Sequence, residues 1–167
     1  MVRNIIITTL FFIALLNSFA QEINSYYYPE QNEEIKIDSI LDKKIKLRVL
    51  IIRKTLQDST VSISYVLENN KIQTHKYRDY TTEITLFKND SIIFNRKFYK
   101  NDFEQIGDEE FLKKAITHST WIQEFDQKSK TVKISYVIGV PETDWNYHFT
   151  LSIDKNGNYY SELDEIE

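Results

Sequence analysis

From Lys44 onward, apolar residues recur at every second position in one stretch after another. Only a pleated strand places alternate side chains on one face. Ile45, Leu47, Val49 and Ile51 alternate with Lys46, Arg48 and Leu50. After Gln57-Asp58-Ser59, which reads as a turn, Val61, Ile63, Tyr65 and Leu67 repeat the pattern. The cleanest row is Trp145, Tyr147, Phe149, Leu151 and Ile153, with Asn146, His148, Thr150 and Ser152 on the opposite side. Rows of this kind bury one face of a sheet and leave the other in water.

Turn chemistry divides the remaining chain. Glu68-Asn69-Asn70-Lys71 is a tight turn, because Asn tolerates positive φ. A polar strand over 72–77 suits a sheet edge. Residues 83–87 and 92–99 form a hairpin about Lys88-Asn89-Asp90-Ser91. A single short helix is predicted at about 102–117. Asn101 or Asp102 would cap it, Glu109 and Glu110 suit its start, and Lys113 and Lys114 lie further along. Phe111, Leu112, Ala115 and Ile116 form its apolar stripe. Strands are predicted at 120–125, 131–140, 144–153 and 158–163. Asp154-Lys155-Asn156-Gly157 turns between the last two. Short links favour antiparallel neighbours. The expected fold is mainly β (α+β): an antiparallel meander sheet, curved or a partial barrel, with the helix packed on it.

Residues 1–20 read as a cleavable signal peptide. Arg3 supplies the positive start, 5–16 the apolar run, and Ser18 and Ala20 the small positions before the cut. The run is shorter than the roughly 20 apolar residues that cross a bilayer. Residues 21–42 read as a polar N-terminal linker and 43–167 as a single β-rich domain. Location in the periplasm or outside the cell is expected, with no membrane attachment after cleavage. The chain has no cysteine, which excludes disulfides, thiolate metal sites and a lipidated N-terminal cysteine. Core burial must therefore hold the domain together. A formal net charge of −4 disfavours nucleic acid as a partner.

No catalytic, cofactor-binding or metal set is assigned. Three glycines cannot build a phosphate loop, and Gly-x-Ser-x-Gly is absent. In Asp154-Lys155-Asn156-Gly157-Asn158 the glycine comes two positions too early for a calcium loop, so a hairpin turn is expected. His75, His118 and His148 lie on separate elements. Trp145, Glu142, Asp144 and His148, around the loop at Pro141, are the candidate ligand contacts. Trp121, Trp145 and the tyrosines read first as core packing and second as a stacking surface. Asp38-Ser39-Ile40, Asp58-Ser59-Thr60 and Asp90-Ser91-Ile92 match an Asp-Ser/Thr-apolar (or Thr) signal that resembles the O-glycosylation signal of exported Bacteroidota proteins. Ser39, Ser59 and Ser91 are the acceptors it implies, the latter two on predicted turns.

Four segments carry a family resemblance: Phe98-Tyr99-Lys100-Asn101-Asp102-Phe103, Phe111-Leu112-Lys113-Lys114, 136–140, and Asp144-Trp145-Asn146-Tyr147-His148-Phe149. Across residues 45–164 the chain resembles small exported proteins of Bacteroidota grouped as a domain of unknown function. The resemblance implies an exported β-rich domain and implies no activity. Three functional readings follow. The first is a non-enzymatic binding or interaction domain with a protein or glycan partner in the cell envelope. The second is a lipocalin-like carrier of a small apolar ligand. The third is a hydrolase using acidic residues near Pro141.

Overall fold

The computed structural model describes residues 23–68, 71–103 and 108–164. The signal peptide read at 1–20 lies outside them, as do Asn69 and Asn70 of the turn read at 68–71. Among the described residues there are nine strands: β1 (Ile23–Tyr28), β2 (Glu34–Asp42), β3 (Leu47–Val66), β4 (Ile72–Lys88), β5 (Ser91–Phe98), β6 (Ile116–Asp126), β7 (Thr131–Gly139), β8 (Asn146–Ile153) and β9 (Tyr159–Leu163). A 3-10 turn (Lys100–Phe103) and one helix, α1 (Glu109–Lys114), lie between β5 and β6. One sheet has the order β1-β4-β3-β2, with β5 also paired to β4; the other is the meander β6-β7-β8-β9. The architecture is mainly β and antiparallel, as the alternation predicts. It is divided between two sheets and does not close into a barrel.

The chain forms two compact units. The smaller contains Ser62–Lys76 with the described residues up to Tyr26; the larger contains Tyr27–Val61 and everything from Tyr77 onward. In the smaller unit His75 sits edge-on to Tyr65 (5.1 Å) and Tyr26 (6.1 Å). Its Nε2 shares a 2.6 Å hydrogen bond with the Gln73 side chain, and Ser64 and Thr74 hydroxyls bond at 2.9 Å.

The larger unit holds the core. β3 contributes Leu47, Val49 and Ile51, and β4 contributes Ile84 and Leu86. β7 adds Val132, Ile134, Tyr136 and Ile138, and β8 adds Phe149, Leu151 and Ile153. Phe103, on the 3-10 turn, is the hinge of the packing. Its ring lies 4.9 Å from Phe149, 5.0 Å from Tyr136 and 6.5 Å from Phe98. Asp108 caps α1 by accepting the Glu110 amide at 2.8 Å. The helix is shorter than the sequence predicts, because Ile116 opens β6 instead of closing the apolar stripe.

Four further differences have local causes. Gln57-Asp58-Ser59 is not a turn; β3 passes straight through it, and β4 likewise joins the strands read separately at 72–77 and 83–87. Sheet pairing overrides weak local turn propensity there. Residues 21–42 contain β1 and β2, the latter paired residue by residue with β3 from Glu34↔Lys54 to Asp42↔Leu47. On β8 the polar row is partly buried: Thr150 and Ser152 are 4% and 1% exposed, and Thr150 donates to the Gln123 side chain at 3.1 Å. Trp121 and Trp145, read first as core, are 40% and 41% exposed.

The turns follow their residue chemistry. Asn89 and Asp90, both at positive φ (49° and 66°), make the two-residue β4–β5 hairpin that right-handed twist favours. Between β8 and β9, Asp154 Oδ1 accepts the amides of Asn156 (2.8 Å) and Asn158 (3.0 Å). Gly157 takes φ +86° with its Cα against the Ile93 carbonyl, where a Cβ would lie 2.1 Å from that oxygen. The Asp154 carboxylate thus serves its own turn.

Asp42, at the end of β2, fastens the larger unit at a distance in sequence. It accepts Lys44 N at 2.7 Å and pairs with Lys130 Nζ, from the β6–β7 turn, at 2.6 Å. The Lys130 hydrogen bond holds its carboxyl below the ordinary value of 3.8, against the opposing effect of burial. A carboxyl with a lowered folded-state pKa stabilises fully above its unfolded value and loses that stabilisation as pH falls through the folded one. Asp42→Asn should therefore lose less stability than the parent between pH 5 and pH 2, read from urea midpoints; Asp126 and Asp154, also lowered, keep part of the acid limb in both. Phe149→Ala should cost about 3–5 kcal/mol in the same assay. His148→Ala, one residue away and exposed, should stay within about 0.5 kcal/mol.

Candidate functional site

The inward row of β3 does not end with its apolar residues. Leu47, Val49 and Ile51 are followed, two positions on, by Arg53, which is only 9% exposed. The inward row of β4 continues the same way from Leu86, Ile84 and Thr82 to Tyr80 and Arg78. Where the two rows turn from apolar to cationic and phenolic, the larger unit has a cleft of about 270 Å³. Arg53, Arg78, Tyr80, Tyr28, Tyr77 and His118 line it, together with Glu33 and the apolar Ile35 and Ile116.

The Arg53 guanidinium lies over the Tyr80 ring, 3.6 Å from its centroid. Its Nη2 donates to the Thr117 carbonyl at 2.8 Å. Nε is buried and has no hydrogen-bond partner among the described residues. Desolvation pushes the pKa of Arg53 down, opposed by the fields of Tyr80, Glu33 and Asp79. Tyr80 donates its hydroxyl to Glu33 Oε2 at 2.9 Å. Burial, with that hydrogen bond, pushes the phenol up to about 12. Arg78 lies 4.6 Å from the Tyr27 ring centroid and donates to the carbonyls of Pro29 (3.3 Å) and Gln57 (3.5 Å). Tyr28 and Tyr77 stack at 5.2 Å with their planes 16° apart.

Behind the cleft, the Thr117 peptide is held from both sides. Arg53 takes its carbonyl, and Asp79 Oδ1 accepts its amide at 2.9 Å as well as that of Tyr80 at 2.8 Å. Asp79 also pairs with Lys100 Nζ at 3.4 Å, and Lys100 donates to the Ala115 carbonyl at the C-terminus of α1 at 2.6 Å. The pair is nearly buried, with side chains 3% and 14% exposed. This fixes the start of β6, and with it Ile116, Thr117 and His118, against β4. Partial burial and the nearby Arg53 charge both lower the pKa of His118.

The residues singled out in the sequence are placed as follows. Glu142, at φ 61° in the β7–β8 loop, accepts the hydroxyl of Tyr77 and so touches one wall of the cleft. Asp144 is exposed in that loop. Trp145 packs on Phe111, ring centroids 5.1 Å apart, and His148 is exposed on β8 opposite Val137. Ser39 is half-buried within β2 and Ser59 half-buried within β3, not on a turn; Ser91 is exposed at the first position of β5. Among the described residues no group of three or more His, Asp or Glu side chains could hold a metal ion. Among the described residues the two sheets do not close into a barrel. Arg53, Arg78 and Tyr80 were missed in the sequence. Their signal was a cation at the next inward position of an apolar period-two row.

Fold and cleft together define a two-sheet antiparallel β domain with a cationic, tyrosine-lined cleft at one end of its core. The chain matches the family described as Domain of unknown function (DUF4738) over residues 17–160, and it belongs to that family. No curated protein matches the sequence. The family match begins upstream of β1 and so includes the strands at 23–42 as well as the segments that carried the resemblance.

Asp79→Ala should destabilise the domain by about 3–5 kcal/mol, because it leaves the Lys100 ammonium without its buried partner. Chemical denaturation measures this directly. Lys113→Ala, which removes an exposed i,i+4 pair with Glu109, should change stability by less than about 0.5 kcal/mol.

Proposed function

We propose that this chain is an exported, non-enzymatic binding domain whose ligand site is the cleft at Arg53, Arg78 and Tyr80. The observation that carries this reading is the state of Arg53. A guanidinium withdrawn from water with no carboxylate within salt-bridge distance among the described residues costs stability. Sites that hold such a group trade stability for recognition. The cleft is concave, mostly apolar, and has a few converging polar groups, the usual composition of a small-molecule site. At about 270 Å³ it is slightly smaller than the usual range of such sites, about 300–1,000 Å³, which favours a small ligand over a protein segment. The reading of residues 1–20 as a signal peptide supports export, and with it a ligand met in the periplasm or outside the cell.

A library of small metabolites and sugars screened by thermal shift tests the site. At least one chemical class should raise the Tm, with NMR shift changes concentrated on Arg53, Tyr80 and His118. Ligands whose shifts map only to the Trp145–His148 region would move the site away from the cleft. Turnover of a bound compound, abolished by Glu142→Gln, would contradict the non-enzymatic reading. N-terminal sequencing of the exported protein should begin at Gln21.

A further inference from the structure

Resting on the binding reading above, we propose that the cleft takes a small cyclic monocarboxylate, its carboxylate on Arg53 and Arg78 and its ring against the tyrosines. Four arginines lie among the described residues. Arg48 and Arg96 are paired with carboxylates, Asp38 at 3.3 Å and Asp102 at 3.0 Å. Among the described residues neither Arg53 nor Arg78 has a carboxylate within salt-bridge distance, and both line the same cleft. A guanidinium offers five N–H donors in a planar fork. Arg53 uses one of them on Thr117, and Arg78 reaches only main-chain carbonyls at 3.3 and 3.5 Å. The terminal Nη donors that remain can match the two oxygens of a carboxylate.

Charge narrows the class further. Glu33 also lines the cleft, and its side chain is engaged by the Tyr80 hydroxyl. Among the lining residues two arginines face one glutamate, with Glu142 behind Tyr77, in a chain whose formal net charge is −4. So small a positive balance suits a monoanion better than a dianion such as a phosphate monoester. The walls define the body of the ligand. The rings of Tyr28, Tyr77 and Tyr80 line the cleft, one face of Tyr80 covered by Arg53, and Ile35 and Ile116 add apolar surface. Such walls reward a ring over a flexible chain.

NMR titration of the whole chain tests this with five probes at millimolar concentration: benzoate and glucuronate, their neutral counterparts benzyl alcohol and glucose, and inorganic phosphate. At least one of the two carboxylates should shift the Arg53, Tyr80 and His118 resonances and bind about ten- to hundredfold more tightly than its neutral counterpart, the range of a charge-assisted hydrogen-bonded pair. Arg53→Met should remove that preference while its Tm stays equal or rises, because an unpaired buried charge is lost. Arg78→Gln, at a more exposed position, should weaken carboxylate binding with the fold intact, which keeps the test valid if Arg53→Met does not fold. Equal binding of a carboxylate and its neutral counterpart at the cleft would overturn the carboxylate assignment and leave the binding reading standing. Phosphate binding more tightly than both carboxylates would overturn it in favour of an oxyanion without a ring. No response of the cleft resonances to any of the five probes would overturn the proposal, and no response to the metabolite library as well would remove the binding reading.

Discussion

Strand alternation, continued one step beyond the apolar core, is the constraint on which the rest depends. In β3 the period-two row that buries Leu47, Val49 and Ile51 must also turn Arg53 inward. The chain cannot move Arg53 to solvent without reversing the row, because a one-residue slip would expose all three apolar side chains. In β4 the same rule brings Tyr80 and Arg78 to the same end of the sheet. The guanidinium is thus held in place by the burial of its strand neighbours, and the core's hydrophobic free energy offsets the cost of dehydrating it.

Two devices make that position tolerable. The Tyr80 ring receives the flat face of Arg53, and the Thr117 carbonyl receives one of its N–H groups. Thr117 is itself fixed by Asp79, and Asp79 by Lys100, so a chain of polar contacts runs from the cleft to the C-terminus of α1. Within the core, Phe103 packs against Phe98, Tyr136 and Phe149 and so joins β5, β7 and β8 through one ring. The larger unit is therefore secured by aromatic contacts in its interior and by buried charge around its cleft, in a chain without a single cysteine.

Much of the β architecture was legible in the residues. The row from Tyr147 to Ile153, the Asp154–Gly157 turn and the Asn89-Asp90 hairpin follow from side-chain alternation and from residues that accept positive φ. The strand at 34–42 was not recognised, because Glu34, Lys36 and Asp38 dominate its composition although Ile35, Ile37 and Leu41 keep the period. β3 and β4 were each divided at their polar middles. Gln57-Asp58-Ser59 has turn chemistry, yet the sheet supplies the backbone partners that a turn would otherwise provide. The cleft was illegible for a related reason. A lone arginine in a strand reads as a surface residue, and only its parity with Leu47, Val49 and Ile51 marks it as inward. Attention fell instead on the acids near Pro141, of which Glu142 alone reaches the cleft wall, through Tyr77.

The claim that Arg53 is a dehydrated cation held without a carboxylate is tested most directly by side-chain hydrogen exchange. The Nε–H of Arg53 and that of Arg48, whose side chain is 45% exposed, can be followed in one NMR experiment on the ligand-free protein. The Arg53 proton should exchange with water many times more slowly than the Arg48 proton, since its nitrogen is buried within a packed row. Equal exchange rates would show that water reaches the Arg53 guanidinium freely, and would contradict the account.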